Sequence, residues 1–326
     1  MILSRTPYRI SFAGGGSDLP DFYKKYGGAV VSTSIDKFIH ITAHQNFEQD
    51  KILLKYSKTE NVKNVLKIKN SIARSIITDL KITGIGIETM GDIPGKTGLG
   101  SSSAFAVGLH NILHTYKFGK HLTPEQLAQK ACETEIKKLG SPIGKQDQYA
   151  AAYGGLNLYK FLKNGKVTVE PVRIQPKIKK ELEENLLLFY TGITRSANTI
   201  LEKQKENLQT SFHAIDATKR MVEIAYETKA VLEAGNLHAF GKLLHTGWEL
   251  KQSLANTISN KLINKYYSLG INNGAIGGKL LGAGGGGFLL FYSEKKNHKK
   301  LRAALSKLRE IPFTFTDTGS EILFES

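Results

Sequence analysis

The sequence has little cysteine and no long apolar run. Cys132 is the single cysteine among 326 residues, so an internal disulfide framework and a zinc site built on cysteine pairs are excluded. No stretch approaches the roughly 18 apolar residues that cross a bilayer, and the chain becomes polar after its third residue. We therefore expect no signal peptide, no membrane span and a reducing, cytoplasmic compartment.

Acidic residues are few relative to basic ones. The 45 lysines and arginines outnumber the 29 aspartates and glutamates, which gives a net charge of +16. Such an excess suits nucleic acid, an anionic membrane surface or small anionic substrates, and the charge alone does not decide among them. The hydrophobic share of 40% and the charged share of 23% are ordinary for a globular protein, and the length suggests two domains.

Glycine is abundant, with 32 residues, and it is clustered at 14–16, 95–100 and 282–287. Two of these clusters nearly match nucleotide-binding signatures. The segment 91–97 ends in GKT like a Walker A loop, but it has one residue too few between its glycines. The segment 282–287 satisfies GxGxxG, but it leads into FLLFY, which reads as a strand where a dinucleotide site needs a helix. Neither a P-loop nor a dinucleotide-binding fold is predicted.

The first half of the chain predicts strands before helices. Extended runs cover 8–13, 29–43, 52–56 and 84–90, with a helix near 65–80 and an apolar helix from 101 to about 114. Thr123 opens a capping box for a helix that ends at Gly140, and a short helix starts near Lys145. Asn164-Gly165 marks a hairpin between 156–161 and 167–172.

The second half mixes strands and helices without strict alternation. It predicts strands at 186–190, 288–292, 313–315 and 321–324, three helices between about 196 and 269, and a helix over 295–308. This order favours an α+β fold over a doubly wound parallel sheet. We place the domain boundary after the hairpin, which gives domains 1–175 and 176–326.

The segment PGKTGLGSSSA at 94–104 carries the clearest chemistry. It joins a predicted strand to an apolar helix through small residues, so main-chain N–H groups at the helix N-terminus are open to an anion such as phosphate. The three serines can cap the helix, contact phosphate oxygens or ligate Mg²⁺. A glycine loop with a capping serine and no ligand is the alternative interpretation.

Two carboxylates near the middle of the chain are ordinary when each is taken alone. Asp147 falls in the first turn of the predicted short helix, where an aspartate commonly complements the helix dipole. Glu135 lies on the preceding helix, where an acidic residue is commonly solvated.

Three motifs together resemble the GHMP kinase superfamily, which includes galactokinase, homoserine kinase and mevalonate kinase. They are PYRISFAGGGSDLP at 7–20, PGKTGLGSSSA at 94–104 and KLLGAGGGGF at 279–288, in the order found in the family. Within it, AGGGSDLPDFY, SPIGKQDQYAAAYGGLN and TGITRSA are most similar to sugar kinases acting on D-glycero-D-manno-heptose 7-phosphate. The resemblance implies an N-terminal domain like domain 2 of ribosomal protein S5 and a ferredoxin-like C-terminal domain, with ATP and sugar between them.

The resemblance also implies roles for individual residues. The ATP-binding residues would be Pro94, Gly95, Thr97, Gly98, Leu99, Gly100, Ser101, Ser102 and Ser103. Mg²⁺ would be held by Ser102 and Glu135, although the stretch from Glu135 to Asp147 is one residue longer than in mevalonate kinases. The catalytic residues would be Asp147, Arg9 and Lys96. The substrate-binding residues would be Gly15, Gly16, Ser17, Asp18, Lys145, Arg195, Gly284 and Gly285, with Arg195 holding the phosphate of the acceptor.

The expected function is a sugar kinase that uses ATP and Mg²⁺. It would transfer the γ-phosphoryl group to the anomeric hydroxyl of the heptose 7-phosphate and give the 1,7-bisphosphate. A neutral-sugar kinase of the galactose or fucose type and a basic RNA-binding protein of S5-like fold are the alternatives. We expect a small sugar phosphate as partner, with neither nucleic acid nor membrane, and we leave a homodimer open.

Overall fold

The computed structural model describes residues 1–194 and 197–326, and within these ranges both halves of the chain form strands and helices. The strands are β1 (Ile2–Ala13), β2 (Gly28–Gln45), β3 (Ile52–Lys55), β4 (Thr59–Val62), β5 (Ile85–Gly91), β6 (Leu156–Phe161), β7 (Val167–Pro171), β8 (Leu186–Tyr190), β9 (Ala275–Leu280), β10 (Phe288–Ser293), β11 (Arg309–Glu310) and β12 (Glu321–Glu325). The α-helices are α1 (Pro20–Tyr26), α2 (Ser71–Leu80), α3 (Ser101–Phe118), α4 (Pro124–Cys132), α5 (Gln146–Tyr153), α6 (Pro176–Asn185), α7 (Ala197–Thr210), α8 (Phe212–Glu233), α9 (Leu237–Ser253), α10 (Lys261–Asn272) and α11 (His298–Ala304). Short 3₁₀ turns cover Val65–Lys67 and Lys295–Asn297, and a π-helical turn, Glu133–Lys138, continues α4.

The larger sheet is built around the long strand β2. Its strand order is β12-β1-β2-β5-β3-β4, and β6 and β7 are attached where β6 pairs with β2. The first part of β2 pairs with β6 and its last part pairs with β5, while β1 lies along its other edge. The helices α3 and α5 pack on β1 and β2. This arrangement brings the N-terminal turns of α3 and α5 to Arg9 of β1.

The smaller sheet is antiparallel, with the order β11-β8-β10-β9. The helix α9 packs on β9, and α8 packs on both α9 and β2, so these helices connect the two sheets. Phe240 of α9 makes edge-to-face contacts with Phe12 of β1 and with Tyr292 of β10, at ring-centroid distances of 5.2 and 5.6 Å. The larger hydrophobic core therefore contains residues of both halves, and a second buried cluster is formed by residues of the second half alone.

Most of the elements predicted from local signals are confirmed. Thr123 and Gln126 form both hydrogen bonds of the capping box, β6 and β7 form the hairpin around Asn164-Gly165, and β10 follows the glycine cluster at 282–287. The α+β fold is also confirmed. No helix in the described ranges is long and apolar enough to cross a membrane.

Three predictions in the second half were wrong. Four helices, α7 to α10, take the place of the three predicted, because the Ser211 side chain caps α8 and separates it from α7. The helix predicted over 295–308 ends at Ala304, which lets Arg309–Glu310 pair with β8. Phe315 makes one isolated bridge to Ile35 in place of the strand predicted over 313–315.

The last strand of the chain returns to the first sheet. β12 pairs with β1 in the antiparallel direction, from Ile2 opposite Glu325 to Arg5 opposite Glu321. The C-terminal residues thus complete the sheet of the N-terminal half, and the division into 1–175 and 176–326 stays a prediction.

Candidate active site

A cavity of about 390 Å³ lies where the two halves of the chain meet. Its wall is formed by β1, the loop at 15–19, the loop leading into α3, the start of α5, the helices α7 and α9, and the glycine cluster after β9. The cavity brings together thirteen of the residues predicted from the sequence: Arg9, Gly15, Gly16, Asp18, Lys96, Gly98, Gly100, Ser101, Ser102, Ser103, Glu135, Asp147 and Gly284.

The two glycine loops of this cavity pack against each other through their main chains. A Cβ on Gly98 would lie 2.5 Å from the carbonyl oxygen of Leu281, and a Cβ on Gly282 would lie 2.5 Å from Cα of Gly98. Both glycines also have positive φ, at +89° and +73°. The loop before α3 is therefore fixed by a loop that is almost two hundred residues later in the chain.

The N-terminus of α3 opens into the cavity. Gly100 precedes its first turn with φ of +76°, and within the described ranges no side chain caps the helix. Ser101 Oγ instead accepts a hydrogen bond from the Lys96 N–H at 3.3 Å, which steadies the loop. The first N–H groups of α3 therefore remain available for an anion.

Arg9 and Asp147 form the central ion pair of the site. The Nε and Nη2 atoms of Arg9 donate to the two carboxylate oxygens of Asp147 at 2.7 and 2.8 Å, and Nη1 donates to the carbonyl of Gly98 at 2.7 Å. Arg9 is only 4% exposed, and Asp147 lies in the first turn of α5. Gly100 packs beside the pair, where a Cβ would lie 3.4 Å from Asp147 Oδ2. The carboxylate is thus held in one orientation at the edge of the loop before α3.

Glu135 is buried next to the first turn of α3. One of its carboxylate oxygens accepts from Ser102 Oγ at 2.8 Å and the other accepts from Gln148 Nε2 at 2.7 Å. Burial raises the pKa of Glu135, while hydrogen bonds from Ser103, Ser102 and Gln148 partly oppose this rise. Glu135, on the π-helical turn that continues α4, is therefore not a solvated surface carboxylate.

Ser102 and Glu135 fit a magnesium ion that is shared with a phosphate ligand. Within the described ranges no group of three acidic, histidine or cysteine side chains could hold a metal by itself. Mg²⁺ commonly takes one or two protein oxygens and fills its remaining positions with phosphate oxygens and water. One carboxylate and one hydroxyl beside an anion-binding helix terminus match that requirement.

Asp18 organises the other end of the cavity. Its Oδ1 accepts from the Gly16 N–H at 3.0 Å and its Oδ2 accepts from the Gln146 N–H at 3.1 Å. Burial, together with the nearby charge of Asp147, raises the pKa of Asp18. Asp18 therefore joins the glycine loop after β1 to the residue that precedes Asp147.

Several predicted site residues do not line the cavity. Ser17 Oγ donates to the carbonyl of Gly14 in its own loop at 2.8 Å and to that of Ala29 in β2 at 3.0 Å. Lys145 Nζ donates to the Gly165 carbonyl at 2.5 Å and lies 5.1 Å from the ring centre of Tyr23. Both are satisfied elsewhere, so direct substrate contact by either one is not supported.

Other predicted residues support the loops. Thr97 Oγ1 donates to the Pro94 carbonyl at 2.9 Å, Leu99 is buried in the core, and the Gly285 N–H donates to the Ile258 carbonyl at 2.8 Å. Pro94 and Gly95 are exposed at the outer turn of the loop. Arg195, the predicted phosphate ligand of the acceptor, lies outside the described residues.

Sequence reasoning missed two lysines in the cavity wall, Lys251 and Lys279. Lys251 follows Trp248 and Leu244 on the buried face of α9, and a lysine on such an apolar stripe was a usable signal. Lys279 is the first residue of the motif KLLGAGGGGF, but the sequence pattern of the strand did not show which way its side chain points.

The fold and this site define an ATP-dependent phosphotransferase. Family models for the GHMP kinases N terminal domain and the GHMP kinases C terminal match residues 62–155 and 228–311. The chain belongs to the GHMP kinases, and it is a sugar kinase.

Individual relatives cover nearly the whole chain. A D-glycero-alpha-D-manno-heptose 7-phosphate kinase from Campylobacter jejuni is 34% identical over 98% of this chain and 97% of its own length. A bifunctional fucokinase/GDP-fucose pyrophosphorylase from Arabidopsis thaliana is 27% identical over 93% of this chain, which spans 31% of that longer protein. The crystal structure of a D-glycero-D-manno-heptose 1-phosphate kinase from Bacteroides thetaiotaomicron superimposes with a TM-score of 0.82 and 26% identity, covering 100% of both chains.

Proposed function

We propose that this sugar kinase transfers the γ-phosphoryl group of ATP to the anomeric hydroxyl of D-glycero-D-manno-heptose 7-phosphate and releases the 1,7-bisphosphate. The observation that carries the proposal is the Asp147 carboxylate, held by two hydrogen bonds from Arg9 beside the N-terminus of α3. The choice of sugar is supported by the relative from Campylobacter jejuni, whose name gives that substrate.

The phosphate side of the reaction would be served by main-chain N–H groups. Those of Gly98, Gly100 and the first turn of α3 would bind the β- and γ-phosphates of ATP, and the exposed Lys96 would add a positive charge. Ser102 and Glu135 would hold Mg²⁺, which neutralises charge that develops on the phosphate oxygens.

The acceptor side would be served by Asp147. Its carboxylate would orient the anomeric hydroxyl and accept its proton as the oxygen attacks phosphorus in line with the leaving ADP. Arg9 keeps the carboxylate in place and offsets negative charge at the transferred group. Asp18 and the loop at Gly15–Gly16 would bind sugar hydroxyls at the other end of the cavity.

A kinase assay with ATP and Mg²⁺ across four acceptors tests this proposal. The acceptors are the heptose 7-phosphate, the unphosphorylated heptose, galactose and fucose. We expect kcat/KM for the heptose 7-phosphate to exceed that for each of the other three acceptors by at least about 100-fold. A site that hydrogen-bonds the 7-phosphate group discriminates strongly against acceptors that lack it. A higher kcat/KM for fucose or galactose would support the neutral-sugar alternative. The similarity to a bifunctional fucokinase is the observation behind that alternative.

A further inference from the structure

The cavity holds two buried lysines that the reaction described above does not use. Lys251 of α9 is 6% exposed and Lys279 of β9 is 4% exposed. The ammonium group of Lys251 donates to the Gly282 carbonyl, and that of Lys279 donates to the Phe12 carbonyl at 2.8 Å. Within the described ranges neither ammonium has a carboxylate within ion-pairing distance, and Asp147 is paired with Arg9. Two buried cations therefore face one ligand-sized cavity without an acidic partner.

Such an arrangement is unfavourable unless an anion joins it. A buried charge is costly when it lacks a partner, and one carbonyl satisfies only one of the three N–H bonds of an ammonium group. Burial lowers the pKa of both lysines. The positive charges of Lys251 and Arg9 lower the pKa of Lys279 further, whereas for Lys251 the charge of Arg9 adds to the fall and those of Asp18 and Asp147 oppose it. A bound anion would reverse this shift and favour the charged form of each side chain.

Two neutral donors point to the same location. Ser11 Oγ and Gln204 Nε2 are buried, and neither has a hydrogen-bond partner among residues 1–194 and 197–326. Ser11 Oγ lies 3.7 Å from the position of a Cβ on Gly15, and Gln204 Nε2 packs directly against Gly16. Both residues line the cavity beside the glycine loop assigned to the acceptor. Unpartnered buried donors are a cost that a ligand with several acceptor oxygens would remove.

The two lysines are anchored at different parts of the cavity wall. Lys279 is bonded to the carbonyl of Phe12, which lies three residues beyond Arg9 along β1, about 10 Å at the rise of a strand. Lys251 is bonded to the carbonyl of Gly282, which packs on Gly98, so Lys251 borders the loop proposed for ATP. The ATP phosphates already have main-chain donors at the N-terminus of α3. A phosphorylated acceptor brings a second anion, and that anion must lie away from the transferred phosphoryl group.

We propose that Lys251 and Lys279, with Ser11 and Gln204, bind the phosphate group that the acceptor sugar already carries. The ligand class is a sugar phosphomonoester, whose two negative charges match the two ammonium groups. This assignment rests on the proposed function for its choice of a phosphorylated acceptor, and it makes these lysines specificity-determining residues.

Steady-state kinetics of K251M and K279M test the assignment, with K242M as the matched control. Lys242 is an exposed lysine on the same helix as Lys251. We expect each buried variant to raise KM for the heptose 7-phosphate by roughly 10- to 100-fold and to leave KM for ATP within about twofold of the parent value. K242M should match the parent, and K279R should recover part of the loss because it restores the charge. A rise in KM for ATP with an unchanged KM for the sugar would overturn the assignment and put the lysines on the phosphates of ATP.

A binding experiment separates this assignment from the proposed function. Calorimetric titration of the nucleotide-free parent, K251M and K279M with inorganic phosphate needs no knowledge of the acceptor. We expect binding to the parent that weakens at least tenfold in each variant, with melting temperatures confirming that the variants are folded. No binding to the parent, or equal binding by all three, would overturn the anion site. Turnover of the parent on neutral sugars alone would instead overturn the proposed function.

Discussion

Asp147 is the side chain on which the proposed chemistry depends most. Arg9 holds it by two hydrogen bonds, so its orientation is set before any substrate arrives. We expect D147N to keep ATP binding and to lower kcat by at least about 100-fold, the scale of a positioned acid–base group. D216N, which changes an exposed aspartate on α8, is the control. A kcat of D147N close to that of the parent would contradict the acid–base role and leave Asp147 with a structural role at the start of α5.

Ser102 and Glu135 belong to the magnesium site of the proposal. Removing the hydroxyl or neutralising the carboxylate should weaken metal binding, because each change deletes an oxygen ligand or the group that orients one. We expect S102A and E135Q to raise the Mg²⁺ concentration for half-maximal activity by roughly 10- to 100-fold. E133Q, two residues away and exposed, is the control for E135Q. A Mg²⁺ titration of E135Q that overlays the parent would exclude Glu135 from the metal site.

The buried ammonium group of Lys251 should lower the stability of the folded protein while it serves ligand binding. Burial and Arg9 lower its pKa from 10.5 to about 8, while Asp18 and Asp147 raise it, and Lys279 is the other cation nearby. In the unfolded chain Lys251 keeps its proton up to about pH 10.5, whereas in the folded protein it loses the proton above about pH 8. The free energy of unfolding therefore rises as pH increases from about 8 to 10.5.

At pH 7 both states are charged, and the folded protein carries the full cost of the buried ammonium. We therefore expect K251M, without ligand, to unfold with a free energy about 1 to 3 kcal/mol higher than the parent at pH 7. The difference should shrink near pH 10. Urea unfolding at both pH values measures it, and a less stable K251M at pH 7 would contradict the account.

At the scale of elements, the contact between the two glycine loops fixes the phosphate-binding loop. A Cβ on Gly282 would meet Cα of Gly98 at 2.5 Å, whereas Gly119 has a similar positive φ of +58° with nothing within 4 Å. G119A therefore measures the cost of the backbone conformation alone. We expect about 1 kcal/mol of destabilisation for G119A and about 2 kcal/mol more for G282A, accompanied by a raised KM for ATP. Equal losses in the two variants would mean that the loops do not depend on each other.

Local signals in the sequence predicted most helices and strands correctly, but they did not predict features that depend on contacts between residues far apart in the chain. The capping box at Thr123 and the hairpin at Asn164-Gly165 depend on neighbouring residues, and both form as predicted. Phe315 was predicted as part of a strand, but its environment is set by Ile35, far away in the chain. Ser211 separates α7 from α8, which adds a helix to the three predicted, because a cap competes with helix continuation and the apolar pattern does not show which of the two prevails.

The site shows the same division. The resemblance placed Arg9, Asp147, Ser102 and Glu135 in one family pattern, and the structure brings them together in one cavity. The extra residue between Glu135 and Asp147 does not separate Glu135 from Ser102, whose atoms remain 2.8 Å apart. Lys279 was missed because the direction of its side chain is set by β1, where the Phe12 carbonyl accepts from its ammonium group. Lys251 was missed although its place on the buried face of α9 offered a signal.

At the scale of the whole molecule, both halves of the chain are needed to build the site. β12 closes the first sheet from the C-terminus, and the glycine cluster after β9 holds the loop before α3. The excess of positive charge is consistent with small anionic substrates, and family membership favours the enzyme over the RNA-binding alternative.

The most direct test of the account is product analysis by ³¹P NMR after incubation with ATP, Mg²⁺ and D-glycero-D-manno-heptose 7-phosphate. We expect a second sugar phosphate signal, coupled to the anomeric proton, to grow in equal amounts with ADP while the original 7-phosphate signal remains. The unphosphorylated heptose should give at most about one hundredth of that rate, because it cannot fill the acceptor phosphate site. Phosphorylation of a non-anomeric hydroxyl, or equal rates on the two heptoses, would contradict the account.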